Sequence, residues 1–131
     1  MRAAFLAILL LAAAPAWAAW TKVTEEGGTT FYVDPAAVSA SGNVRRVSVV
    51  QDYAQAESGG VRSRQVLYEI DCTAERLRSL AVSEHDEPMA QGKRLASAER
   101  ESDWIYVGSR TGSSLPPRTP YRPIVRFVCA R

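Results

Sequence analysis

"VRSRQVLYEIDC", residues 61–72, is the stretch that decides the fold, because its second half alternates apolar and polar side chains and then ends on a cysteine. A period of two is typical of a half-buried β-strand. The side chains on one face of this strand are Arg62, Arg64, Val66, Tyr68, Ile70 and Cys72. Cys72 therefore points the same way as the apolar residues. The chain has 2 cysteines, so Cys72 and Cys129 are either free thiols or partners in one bridge.

The N-terminal sequence, "MRAAFLAILLLAAAPAWAAW", indicates the compartment. A basic start, an apolar stretch, a proline and the small-x-small box Ala16-Trp17-Ala18 are the layout of a secretory signal peptide. We expect cleavage after Ala18, which makes residues 1–18 the signal peptide and residues 19–131 the mature domain. The alternative is an uncleaved membrane anchor, because residues 3–20 carry no charge and a span needs about 18–20 such residues.

Export bears directly on the two cysteines. Oxidising compartments keep paired cysteines bridged, so we expect a Cys72–Cys129 disulfide. It would close a loop of roughly 58 residues, worth about 4 kcal/mol as an upper figure in the chain-entropy model. No cysteine lies near the predicted cut, so lipid anchoring is not expected. The expected location is therefore the periplasm, the outer surface or the medium.

After the signal peptide the chain reads as short strands separated by turns. The predicted strands lie within residues 19–34 (two of them, around Gly27-Gly28), 43–54, 61–71, 75–86 and 93–107, the last ending near Trp104. Asp34 and Pro35 predict a short helical turn. Connections this short do not allow parallel crossovers, so the predicted fold is α+β, mainly β, with about six antiparallel strands.

The C-terminal segment "YRPIVRFVCAR", residues 121–131, follows as the last predicted element. Its apolar residues fit one stripe of a helix, and Pro123 could start that helix, although a β-strand is also compatible. The disulfide would tether this segment to one face of the sheet and cover it. We also expect Trp20 and Trp104 to lie in the core.

Charge and chemistry limit the class of function. With 16 basic and 14 acidic residues the charge is nearly balanced, so nucleic acid is not an expected partner. Arg45 (or Arg46), Arg62 and Arg64 could form a basic patch for acidic protein segments or glycosaminoglycans, unless these arginines are solvated or paired with acidic neighbours. The only histidine, His85, is expected at a solvated strand end with Glu84 and Asp86 pointing away from it. No catalytic, cofactor or metal site is predicted.

The order of several segments resembles the bacterial surface-adhesin protein E family. The segments are Trp20, "TFYVDPAAV" (30–38), "VSVVQDY" (47–53), "SRQVLYEIDC" (63–72), "QGK" (91–93), "SDWIYVGS" (102–109) and the late cysteine. The resemblance implies a secreted Gram-negative protein with a six-stranded antiparallel sheet, a disulfide-tethered C-terminal helix and adhesion to host matrix or serum proteins. The chain departs from the family in "RTGSSLPPRTPYRP" (110–123), whose prolines disfavour a helix before Tyr121.

The sequence thus predicts an exported, non-enzymatic binding module that resembles a surface adhesin. The alternative is a periplasmic structural or accessory protein of the envelope with a bacterial partner. Either way the expected partner is a protein, no membrane span is expected after signal cleavage, and the sequence leaves homo-oligomer formation open.

Overall fold

The computed structural model describes residues 19–108 and 119–131, which form one sheet and one α-helix. The strands are β1 (Thr21–Glu26), β2 (Thr29–Val33), β3 (Ser39–Ser41), β4 (Val44–Glu57), β5 (Val61–Asp71), β6 (Arg76–His85), β7 (Arg94–Glu99) and β8 (Ile105–Tyr106). Single turns of 3-10 helix lie at Pro35–Ala37, Ser58–Gly60 and Pro88–Ala90, and the α-helix, α1, is Tyr121–Cys129. The predicted signal peptide and residues 109–118 lie outside the described residues.

The long strands of the sheet lie side by side in the order in which they follow one another along the chain. Its neighbours run β1-β2-β4-β5-β6-β7, while the short strands β3 and β8 pair with β4 and β6. Every strand pair is antiparallel. The predicted antiparallel sheet of about six strands is confirmed as this central path, with two short strands added to it.

The end predicted for the sixth long strand is wrong. β7 ends at Glu99, and Trp104 lies between β7 and β8 rather than at a strand end. The backbone pairing of this segment with β6 is interrupted at Ser102, whose side-chain Oγ accepts a hydrogen bond from the Ser79 backbone N–H at 3.0 Å. The Ser102 side chain thus takes the place of a backbone carbonyl as the acceptor. The chain leaves the sheet there and pairs with β6 again only at β8.

The predicted turns form for the reasons given by their residues. Gly27 and Gly28 join β1 to β2 with φ angles of 58° and 82°, which cost glycine little. Asp34 accepts a hydrogen bond from the Ala36 N–H at 3.0 Å, and Pro35 opens the short helical turn behind it. The first turn pairs β1 with β2, and β2 pairs with β4 along its other edge.

The core lies between α1 and one face of the sheet, called the helix face below. Val47 lies opposite Tyr68 and Val49 opposite Val66, which places the apolar set of β4 beside that of β5. These four are joined in the core by Phe31, Val33, Ile70, Leu77, Val107, Ile124, Val125 and Val128. Each fully buried aliphatic side chain stabilises the fold by about 1.5–3 kcal/mol relative to exposure.

The C-terminal segment is a helix, as the apolar stripe favoured. Pro123 is the third residue of α1, where its missing N–H would have had no partner inside the helix. The predicted disulfide is confirmed: Cys129 at the end of α1 is bonded to Cys72 just after β5, with 5.7 Å between the Cα atoms. The bond ties the helix to the sheet face that it covers.

Candidate binding surface

Arg64 lies on the helix face, as its place in the alternation predicted. It sits opposite Gln51 of β4 and Glu84 of β6, and its Nη2 forms ion pairs of 3.3 Å with both Glu57 and Glu84. Its guanidinium carbon is 5.7 Å from the centre of the Tyr53 ring. Arg64 is therefore paired with acidic neighbours, which is the alternative that the sequence left open to a basic patch.

The register separates the other two predicted patch residues from each other. Arg45 lies opposite Ile70, six residues along β5 from Arg64 and so about 20 Å away. Its guanidinium donates to the backbone oxygens of Gly42, Val44 and Arg131. Arg62, two residues before Arg64, is half-buried, and its Nε is buried without a hydrogen-bond partner. The three arginines do not form one continuous patch.

The opposite side of the sheet, called the outer face, carries a cluster that the sequence analysis missed. Arg76 and Arg78 are two residues apart on β6, and their guanidinium carbons lie 4.1 and 4.4 Å from the centre of the Trp104 ring. Side chains two residues apart are separated by about 6.7 Å along a strand, which is about twice the distance between two stacked planar groups. One indole ring can therefore contact both guanidinium groups. Trp104 is half-buried here, and the expectation that it and Trp20 are core residues is wrong.

Carboxylates and one phenol complete this cluster. Glu69 accepts from Arg78 at 2.7 Å and from Arg46 at 3.1 Å, and these hydrogen bonds, that of Arg78 above all, lower the pKa of the Glu69 carboxyl. The Tyr106 hydroxyl accepts from Arg76 at 3.1 Å. We call this set, Arg46, Glu69, Asp71, Arg76, Arg78, Trp104 and Tyr106, the arginine–tryptophan ladder.

A groove of about 410 Å³ follows the ladder along the outer face. Small side chains on neighbouring strands leave this depression, and β7, whose six residues are all exposed, forms one wall. Residues lining the groove include Ser48, Leu67, Ala81, Ser83 and Ser97. No element packs onto this part of the sheet within the described residues, so the groove is open to solvent.

Beyond the groove, residues 86–93 fold back onto the outer face as a strap. Ser63 Oγ donates to the Glu87 carbonyl at 2.6 Å and accepts from the Ala90 N–H at 2.9 Å, while Asp52 accepts from the Met89 N–H at 2.9 Å. Ser63 is fully buried by these contacts. The strap therefore depends on polar side chains of β4 and β5 that are far from it in sequence.

His85 lies at the foot of this strap and is not solvated, which corrects the expectation from the sequence. The side chain is 6 % exposed because the strap packs over the end of β6, and its Nε2 is 2.9 Å from Ser83 Oγ. Burial, and secondarily the charge of Arg94, lowers the pKa of His85. Glu84 lies on the helix face with Arg64, as the alternation predicted. In the described part of the chain no group of three or more His, Cys, Asp and Glu residues could hold a metal.

The sequence analysis missed the arginine–tryptophan ladder because its residues belong to different elements. An Arg-x-Arg pair within a strand was a visible signal, since both side chains must share one face. The position of Trp104 over that pair depends on the break after β7, which the sequence did not indicate.

The fold defines a class of protein: a small antiparallel-sheet domain with one helix held to the sheet by a disulfide. A sequence model of the surface-adhesin protein E family matches residues 20–130, and the chain belongs to that family. No curated protein sequence matches the chain. Along residues 19–108 and 119–131 no helix is long and apolar enough to cross a membrane.

Solved structures of Haemophilus influenzae protein E have the same fold. A crystal structure of protein E from a non-typeable strain has a TM-score of 0.62 and 14% identity, and the match covers 88% of this chain and 78% of that one. A second crystal form has a TM-score of 0.59 and 17% identity, covering 82% of this chain and 91% of the other. At such identities the likeness concerns the fold alone.

Proposed function

We propose that this protein is an exported, non-enzymatic binding module that adheres to host extracellular-matrix or serum proteins through the outer face of its sheet. The observation that carries the proposal is the arginine–tryptophan ladder beside an open groove, in a chain that belongs to the surface-adhesin protein E family. The predicted signal peptide supports export, and no cysteine near its cut offers a site for a lipid anchor.

The composition of the ladder supports a role in protein binding. Tryptophan, tyrosine and arginine are the residue types that dominate binding energy at protein interfaces. Tyr106 is 41% exposed beside Arg76, so an aromatic edge is available to a partner. Glu69 and Asp71 hold the arginines in place, which reduces the entropy lost when a partner docks.

The groove provides a concave surface for a partner next to the arginine–tryptophan ladder. Its lining combines the apolar side chains of Leu67 and Ala81 with the hydroxyl groups of Ser48, Ser83 and Ser97. An extended segment of a partner could place alternate side chains there while its neighbours contact the ladder. The combination favours a protein ligand over a small molecule.

The test is capture of ligands by the mature protein from purified host matrix and serum proteins and, in parallel, from envelope extract. Ser97→Arg would fill the groove from the exposed strand β7, whereas Ala96→Arg adds the same charge on the neighbouring position that points to the other face. We expect Ser97→Arg to abolish capture of a host protein and Ala96→Arg to leave it unchanged.

Two results would contradict the proposal. Equal capture by both variants would remove the groove from the binding surface. Capture from envelope extract alone, together with no surface labelling on intact cells, would favour a periplasmic accessory role with a bacterial partner.

A further inference from the structure

The strand β7 forms an edge of the sheet. It is the last strand of the central path, and within residues 19–108 and 119–131 it pairs with β6 alone. All six of its residues are exposed, and none of them is proline. In an antiparallel edge strand, every second residue directs its backbone N–H and C=O away from the sheet. The edge of β7 can therefore pair with a further strand.

An extra residue in β7 determines which of its side chains share a face. Ala96 lies opposite Glu84, and Arg94 lies opposite His85, so Leu95 has no partner in β6 and forms a β-bulge. Because Glu84 lies on the helix face, the next residue of β6, His85, lies on the outer face. The bulge therefore turns Arg94 onto the outer face as well.

Two opposite charges lie on the outer face of β7. Arg94 is the first residue of the strand and Glu99 the last, and both are exposed and line the groove. In the part of the chain that the structure describes, neither takes part in an ion pair. On the other edge strand, β1, Lys22 and Glu25 pair with each other at 3.1 Å. β7 thus presents an unpaired positive charge at one end and an unpaired negative charge at the other.

We propose that two copies of this protein form a dimer by antiparallel pairing of β7 with β7, around a two-fold axis that passes through Ser97. In this register Ser97 lies beside its own copy, and Ala98 lies opposite Ala96 of the second copy. Glu99 lies opposite the bulge, where Arg94 of the second copy is on the same face. The two-fold axis repeats this contact, so the pairing forms two ion pairs.

The side chains of β7 favour a second copy over an unrelated strand. Charged residues on an edge strand normally oppose pairing with another chain. A second β7 neutralises both charges, because its own charges stand at the matching positions. The residues at the axis, Ala96, Ser97 and Ala98, are small and leave the edge unobstructed. Leu95 is 39% exposed, and pairing would cover part of this apolar side chain.

The size of the contact predicts a weak dimer. Each copy contributes the six residues of β7, so the interface belongs to the class below about 1,200 Å² that is typical of transient contacts. The two-fold axis is perpendicular to the sheet, so the outer faces of both copies lie on the same side. Two grooves and two arginine–tryptophan ladders would then increase the avidity for a surface-bound ligand. This gain rests on the function proposed above, whereas the dimer itself does not.

Sedimentation equilibrium of the mature, disulfide-bonded protein at increasing concentration, without ligand, measures the dimer directly. Arg94→Glu and Glu99→Arg each turn both ion pairs into like-charge pairs, so each should raise the dimer dissociation constant by about tenfold or more. Arg126→Glu is the matched control, because it makes the same change of charge at an exposed position on α1 and should dimerise like the parent.

Two further samples test the register. The variant that carries Arg94→Glu and Glu99→Arg together exchanges the two charges, and it should dimerise nearly as well as the parent. An equimolar mixture of the two single variants should also form dimers, because each variant then supplies the charge that the other lacks.

Three results would overturn the proposal. The first is a parent protein that stays monomeric at every concentration. The second is a dimer that Arg94→Glu and Arg126→Glu weaken equally, which would show that net charge or another surface acts. The third is a loss in the single variants that neither the exchange nor the mixture restores. Since no ligand is present, each of these results is distinguishable from failure to capture a host protein.

Discussion

At the scale of single residues, Trp104 joins two arginines of the outer face. Its ring lies against the guanidinium groups of Arg76 and Arg78, and each such contact at a partly exposed site contributes about 0.5–1 kcal/mol. We expect Trp104→Ala to lower the free energy of unfolding by about 1–2 kcal/mol, measured by denaturant melts. Trp104→Phe keeps an aromatic ring and should lose less. Equal stability of the parent and Trp104→Ala would show that the ladder adds nothing to the fold.

Arg62 and Arg64 lie on the helix face, opposite the outer face proposed to bind a protein ligand. The ion pairs of Arg64 with Glu57 and Glu84 are partly exposed, so they contribute only about 0–1 kcal/mol. We therefore expect the Arg62→Ala, Arg64→Ala double variant to melt close to the parent temperature and to capture the protein ligand as well as the parent does. Weaker capture by the double variant at low salt, where charge contacts are strongest, would add the helix face to the binding surface.

At the scale of elements, the disulfide determines how α1 meets β5. The bond joins the end of the strand to the end of the helix, and α1 covers Val66, Tyr68 and Ile70 as part of the core. The Cys72→Ser, Cys129→Ser variant should lose about 2–4 kcal/mol of stability, because its unfolded chain is no longer cross-linked. Denaturant melts and thiol titration test this. Two reactive thiols in the exported, unreduced parent, or an unchanged midpoint in the variant, would contradict it.

At the scale of the whole molecule, stability should fall as the solution becomes acidic. The pKa of His85 is lowered in the folded state, chiefly by burial, from an ordinary value of 6.5, so the unfolded chain binds its proton first. The contribution of His85 is present above pH 6.5 and is lost as the pH falls toward the folded pKa. Glu69, whose pKa is lowered from 4.5 chiefly by the Arg78 hydrogen bond, adds a second loss below that pH.

Urea melts at neutral pH, at pH 5.5 and at pH 3.5 separate these two contributions. Because His85 is the only histidine, His85→Phe should remove most of the change between neutral pH and pH 5.5 while keeping the loss at lower pH. The variant is compared with itself across pH, so any constant change in its stability does not affect the result. A parent protein equally stable at neutral pH and at pH 5.5 would contradict the burial of His85.

Much of this fold follows from local sequence. Alternation identified the faces of β5, and Gly27-Gly28 and Asp34-Pro35 identified turns. The apolar stripe of the last segment favoured a helix but was also compatible with a strand. Two cysteines in a chain with a predicted signal peptide were enough to predict the disulfide. These features depend on backbone conformations and spacings that neighbouring residues set, so a single sequence contains them.

The surfaces depended on tertiary structure. Alternation assigns a side chain to a face but not to a position across the sheet, so it could not show that Arg45 and Arg64 lie about 20 Å apart along β5. The burial of His85 and the placement of Trp104 required residues 86–93 and 100–104 to fold back on distant strands. The sequence by itself therefore determined the long strands, the turns and the disulfide. Long-range register and loop packing decided the end of β7, the two short strands and which side chains meet, because those contacts join residues that no local pattern links.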